Sequence, residues 1–113
     1  MSIPAEEVAE VFRQAIRGEI AVKLLGDEAW NDVLCGDVEF MFGEWHITIF
    51  NDVLEFDYVD NVKAPDGRTA EYDDWFHSGA GDDPVDMLAP SELSALKDLV
   101  DALTPTPYGA QTA

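Results

Sequence analysis

Residues 37–60 read DVEFMFGEWHITIFNDVLEFDYVD. Apolar and polar residues alternate through three short runs, the period of strands that bury one face only. Val38, Phe40 and Phe42 share a face, with Glu39 and Met41 opposite. Gly43-Glu44 then reads as a two-residue hairpin link with Gly at its first central position. Trp45, Ile47 and Ile49 point one way and His46, Thr48 and Phe50 the other, before a turn expected at Asn51-Asp52. The third strand is predicted to set Leu54, Phe56 and Tyr58 inward, against Val53, Glu55, Asp57 and Val59 outward. The stretch carries Asp37, Glu39, Glu44, Asp52, Glu55, Asp57 and Asp60, with no Lys or Arg. A one-residue slip would bury these carboxylates, so the pattern dictates which face meets the core.

Working outward, residues 4–17 have helical spacing, with Val8, Val11, Phe12, Ala15 and Ile16 on one face. Pro4 suits the first turn, Glu6 and Glu7 complement the dipole, and Gly18 is a natural stop. Arg13 and Arg17 are expected to satisfy the helix C-terminus. In residues 19–35, EIAVKLL fits a short strand or the end of a helical hairpin, and the favoured reading of the segment is a connector with a helical turn, punctuated by Gly26 and Gly36 and anchored by Trp30, Val33 and Leu34. Pro65-Asp66-Gly67 is a turn, followed by a weaker strand from Arg68 to Trp75 with Ala70 and Tyr72 on one face and Glu71 and Asp73 on the other. Residues 76–86 form a loop rich in Gly, Asp and Pro. A second helix is predicted from Pro90 to Leu103, striped by Leu93, Leu96, Leu99, Val100 and Leu103. The expected architecture is α+β, a three- or four-stranded antiparallel sheet with N- and C-terminal helices packed on one face. It forms a single domain over residues 1–103, with residues 104–113 a flexible tail.

The chain has 113 residues, 24 of them acidic and 6 basic, for a formal charge of −18. That exceeds the roughly 2–8 charges of a typical small soluble domain. A hydrophobic content of 47% is ample for a core and argues against disorder. The charge is not evenly spread: residues 27–86 hold seventeen acids and two bases, while both helices are close to neutral. General solubility does not require that asymmetry. Direct binding to nucleic acid is disfavoured, because phosphate contacts need clustered Lys and Arg. A single cysteine, Cys35, rules out an internal disulfide, and its apolar run predicts a buried, inert thiol. No run approaches the ~20 apolar residues of a membrane span, and the acidic N-terminus lacks a signal-peptide start, so the expectation is cytoplasmic.

Catalytic patterns are weak. Glu55 and Asp57 share a strand face but have nothing beside them to separate their pKa values for acid–base work. His46 or His77 could serve as a base, yet no Ser or Cys sits in a recognisable nucleophile setting. Cys35, His46 and Asp57 lack the spacing of a triad. Asp73-Asp74 and Asp82-Asp83 offer oxygen ligands to a hard cation without the alternation of an EF-hand loop. No catalytic residue, metal site or cofactor is assigned.

The run W-x-I-T-I-F-N-D-x-x-E-x-D-Y from Trp45 to Tyr58, then P-D-G-R at 65–68, Trp75 and D-P-V at 83–85, resembles an uncharacterised family of short bacterial proteins. The likeness spans residues 4–103. It implies a compact α+β domain of bacterial or phage origin and carries no activity. Taken together, these features predict a non-enzymatic acidic protein that occupies a basic protein surface, such as that of a nuclease or nucleic-acid-binding complex, by imitating phosphates. Glu39, Glu55, Asp57, Glu71 and Asp73 would form the open face, with Asp52, Asp60, Asp82 and Asp83 at the rim. Trp75 has two readings, an apolar anchor ringed by acids or a cap on the core. A small carboxylate-based metal-dependent enzyme and a housekeeping domain without a specific partner are the alternatives.

Overall fold

The computed structural model describes residues 3–33, 35–53, 55–77, 80–81 and 83–106. Gly43 adopts φ 61°, which lets Gly43-Glu44 join β2 (Cys35–Phe42) to β3 (Trp45–Asp52) as a tight hairpin. Gly43 N donates to Ala21 O at 2.7 Å, so the same turn is tied to the chain entering β1 (Val22–Leu25). β3 continues into β4 (Glu55–Lys63), and β5 (Thr69–Glu71) pairs beyond it. The sheet has six strands in the order β5-β4-β3-β2-β1-β8, where β8 is Pro105–Thr106. All neighbours are antiparallel except β1 and β8, so the sheet is mixed. Phe76–His77 and Ala80–Gly81 (β6 and β7) form a separate two-stranded ribbon.

The fold is therefore α+β as expected, but the sheet is larger than three or four antiparallel strands. Val22–Leu25 is a strand, the alternative rather than the favoured connector reading, and the helical turn of that segment is a 3-10 turn at Trp30–Asp32. Both additions are short, and their stability comes from pairing rather than from a readable pattern. Pro105–Thr106 pairs with Leu24 and Leu25, and Gly26 N donates to Thr106 O at 2.9 Å. These residues are thus taken from the predicted flexible tail, whose residues 107–113 lie outside the described set. The expected fourth strand stops at Glu71 and turns into α2 (Tyr72–Trp75).

The helices sit on one face. α1 (Ala5–Ile16) buries Val8, Ala9, Val11, Phe12 and Ala15; α3 (Pro90–Asp101) buries Leu96 and Val100. Phe12 meets Phe42 edge-on with ring centres 5.1 Å apart. Arg13 clamps the two helices: Nε donates to Glu92 Oε2 at 3.1 Å and Nη2 to Met87 O at 3.1 Å. Its role is interhelical rather than C-terminal. Val38, Phe40, Phe42, Ile47, Ile49, Val59, Val62 and Ala70 supply the sheet side of the core. No helix among the described residues is long and apolar enough to cross a membrane.

β4 departs from simple alternation. Thr48 pairs with Asn61 but Ile49 pairs with Val59, and Phe50 pairs with Tyr58 but Asn51 with Phe56. Asp60 and Asp57 are the extra residues, two β-bulges in one strand. Each bulge shifts the facing by one. Phe56, Val59 and Val62 therefore reach the core side, while Tyr58 turns to the opposite face with Phe50. The expected placement of Tyr58 inward and Val59 outward is reversed, because an inserted residue breaks the period of two.

The predicted turn at Asn51-Asp52 does not form there, since both residues belong to β3 and the chain turns from Val53 on; Leu54, expected inward, lies outside the described residues. Asn51 is instead fully buried, its Nδ2 donating to Trp30 O at 3.1 Å and Val33 O at 3.0 Å, which anchors the 3-10 turn over Phe40 and Phe56. Val53 holds φ 51° while 62% exposed. A β-branched residue in the left-handed region is strained by about 1–2 kcal/mol, and here no burial offsets it. Replacing Val53 with Asn should raise stability by about 1 kcal/mol. Urea denaturation checks this; an unchanged or lower midpoint would remove the claim of strain.

Candidate functional site

The sheet face opposite the helices carries the predicted site. Strand pairing places three cross-strand rows there. The first is Lys23, Met41, His46, Lys63 and Thr69; the second is Glu39, Thr48, Asn61 and Glu71; the third is Asp37, Phe50 and Tyr58. Two lysines and a histidine thus share the face with the carboxylates. The acidic stretch itself contains no cation, but its neighbours β1 and the end of β4 bring Lys23 and Lys63 alongside. Glu39 hydrogen-bonds His46, with Oε1 3.0 Å from Nε2. The cations gather at one end of the face, and the acids concentrate toward the β3–β4 turn.

The acidic end is organised around rings. Phe50 and Tyr58 stack at 5.2 Å with planes 11° apart, and Tyr58 meets Tyr72 at 4.6 Å and 51°. Tyr58, Asp60, Glu71, Tyr72 and Asp73 line a shallow pocket of about 200 Å³. Desolvation raises the Tyr58 phenol pKa, and the carboxylates of Asp60, Asp37 and Asp57 raise it further. Asp37 is pushed up to about 6 by partial desolvation, by a hydrogen bond with Asp60 and by repulsion from Asp60 and Glu39. Asp37 is exposed as a residue, so solvent screens part of that repulsion.

Of the predicted residues, the structure brings Asp60, Glu71 and Asp73 together at this pocket, with Asp57 close enough to act on Tyr58. Glu39 lies one row away, and Asp52 and Glu55 oppose each other, both exposed, at the hairpin end. Asp82 lies outside the described residues. Two residues leave the site. Asp83 is 2% exposed and acts as the N-cap of the 3-10 turn Pro84–Met87. Its carboxylate accepts from Val59 N through both oxygens at 3.0 Å and from Val85 N at 3.0 Å. Trp75 is 8% exposed and donates Nε1–H to Ile3 O at 2.7 Å, so it caps the core. Cys35 reverses its expectation as well: it is exposed at the start of β2.

Sequence reading missed Asp37, Phe50, Tyr58 and Tyr72 as members of the site. The aromatic content of the stretch was visible, but alternation assigned Tyr58 to the core. Asp74 has a local role, its Oδ2 accepting from Glu71 N at 2.7 Å. Among the described residues, no group of three or more His, Cys, Asp or Glu is placed to hold a metal ion.

The three arginines are engaged elsewhere. Arg13 pairs with Glu6, Glu10 and Glu92, Arg17 with Glu10 and Glu19, and Arg68 with Glu7 and Asp66. A groove of about 590 Å³ beside α1, lined by Glu6, Glu7, Glu10 and Trp45 among others, is therefore compensated by these cations. No arginine–carboxylate pair among the described residues includes Asp37, Asp52, Glu55, Asp57, Asp60, Glu71 or Asp73. No curated protein and no solved structure matches the chain. The family described as a domain of unknown function (DUF7693) matches residues 2–102, and the chain belongs to that family.

Proposed function

We propose that this protein is a non-enzymatic acidic binding protein that occupies a basic surface of a partner protein, in the place of nucleic-acid phosphates. One observation carries the reading. The arginines compensate the acids of the helical side, while among the described residues the carboxylates around Tyr58 and toward the end of the β3–β4 hairpin have no arginine partner on one solvent-facing sheet face. Concentrating like charge on one face costs stability through self-repulsion, and a cationic partner offsets that cost on binding. Complementary charge also speeds association and makes it sensitive to salt. A nuclease or nucleic-acid-binding complex is the partner class that such a face suits, and an inhibitor of that complex in the cytoplasm is the corresponding biological role.

The immobilised protein should retain basic nucleic-acid-binding proteins from a host lysate at 50 mM salt. Duplex DNA should displace them, and affinity for each purified partner should fall about tenfold or more on raising salt to 300 mM. Partners that hold equally well at both salts and ignore DNA would exclude phosphate imitation.

A further inference from the structure

The basic-partner reading leaves open which cationic group the face recognises, and the ring cluster narrows it. Resting on that reading, we propose that the solvent-facing sheet surface docks an arginine-bearing protein segment, seating one guanidinium in the pocket that Tyr58 and Tyr72 line, against the ring surface their mutual contact leaves open. The carboxylates of Asp60, Glu71 and Asp73 line that pocket with the two rings. A guanidinium is planar, weakly hydrated and forked, so it stacks on a tyrosine face while donating two parallel hydrogen bonds to a carboxylate. An ammonium is a compact, strongly hydrated charge that uses the carboxylates but gains less from the rings.

The arrangement favours an organic cation over a metal ion. A hard divalent ion needs several oxygens converging on one point, whereas these carboxylates surround aromatic surface, and no metal-holding group of three is present among the described residues. Phosphate is repelled by Asp37, Asp57 and Asp60, all of which act on Tyr58. The chain does not supply the cation itself: Arg13, Arg17 and Arg68 are committed to other carboxylates, and residues 107–113 contain no Lys or Arg. The two bulges are what build the pocket. Were Asp57 paired as a regular strand residue instead of bulged, Tyr58 would fall on the same face as Phe56 and join the core. At the far end of the face, Lys23 and Lys63 disfavour a uniformly basic partner and give the docked segment a direction.

The test uses the full chain and two synthetic peptides that differ only in carrying spaced arginines or spaced lysines, with binding measured by calorimetry at fixed salt. The arginine peptide should bind about fivefold tighter or more. Tyr58→Leu and Tyr72→Leu should abolish that preference, bringing the arginine peptide's affinity down to the lysine peptide's. Amide shift mapping on the unmodified protein should centre on Phe50, Tyr58 and Tyr72, which keeps the test independent of how the variants fold. Equal affinity for both peptides, weakened by salt, would overturn the arginine pocket and leave the acidic-binder reading standing. Preference retained in both variants, or shifts centred on the groove beside α1, would overturn it too. Binding of neither peptide would count against both readings.

Discussion

Asp83→Ala should destabilise the protein by about 3 kcal/mol, because it strands the backbone N–H groups of Val59 and Val85 in a buried setting. The Val59 N–H bond joins the 3-10 turn to the middle of β4, so the loss is not confined to the cap. Asp83→Asn keeps the shape and one acceptor oxygen, and should cost less. Urea denaturation of the three proteins checks the order; an Ala variant within 0.5 kcal/mol of the parent, the scale of an ordinary surface change, would return Asp83 to the exposed rim.

The same residue predicts an unusual pH dependence. Burial pushes the Asp83 carboxyl up to about 6, against the backbone N–H groups of Val85 and Val59, which pull it down, and with repulsion from Asp86 and Asp57. Asp37 is raised to about 6 as well. A carboxyl whose folded pKa lies above its unfolded value, about 3.9, contributes stability that is full below that value and lost as pH rises through the folded pKa. Acidification from pH 7.5 to 5 should therefore increase stability, and the loss of repulsion from the charge of −18 acts in the same direction. Glu19, Asp66 and Glu92 are held below their ordinary range, so their opposite contribution is lost only below about pH 4.5. The urea midpoint should rise across the window, with a shallower rise in Asp83→Asn. A midpoint that falls from pH 7.5 to 5 would contradict the raised values.

Trp75→Ala should cost about 4 kcal/mol, the range for deleting a buried tryptophan, and Trp75→Phe about 1–2 kcal/mol for the lost hydrogen bond to Ile3 O. The bond reaches from the end of α2 to the residue just before α1, so thermal melting should show the effect directly. An exposed binding anchor would behave otherwise, leaving stability unchanged and removing binding alone. That outcome would restore Trp75 to the interaction face.

Some of this was legible from local chemistry. The heptad-like spacing of Val8, Val11, Phe12 and Ala15, and of Leu93, Leu96 and Val100, determines helices whatever they pack on. Gly43 determines the β2–β3 hairpin, since only a residue at ease with positive φ serves a two-residue link. The clustering of seventeen acids in residues 27–86 is likewise a property of the chain alone. Asp83-Pro84 also held a readable signal, an N-cap residue before a proline at the first helical position, although it reads as a rim carboxylate when only charge is weighed.

The rest belongs to tertiary structure. A bulge residue has no composition of its own, so Asp57 and Asp60 look like ordinary outward positions until the pairing with β3 shows two residues without partners. Those insertions, through long-range register, decide that Tyr58 leaves the core and joins Asp37, Asp60 and Tyr72. Strands as short as β1 and β8 exist only because of such pairing, with Leu24 between Phe40 and Pro105. Likewise, whether a carboxylate is solvated, paired or buried depends on what folds over it: Glu6 and Glu10 meet arginines, Asp83 meets the backbone of β4, and Asp60 meets another acid. The sequence by itself determined the helices, the first hairpin and the sign of the surface, because these follow from neighbours along the chain. Only the tertiary structure decided where that charge stands and which rings stand beside it, because both depend on residues far apart in the chain.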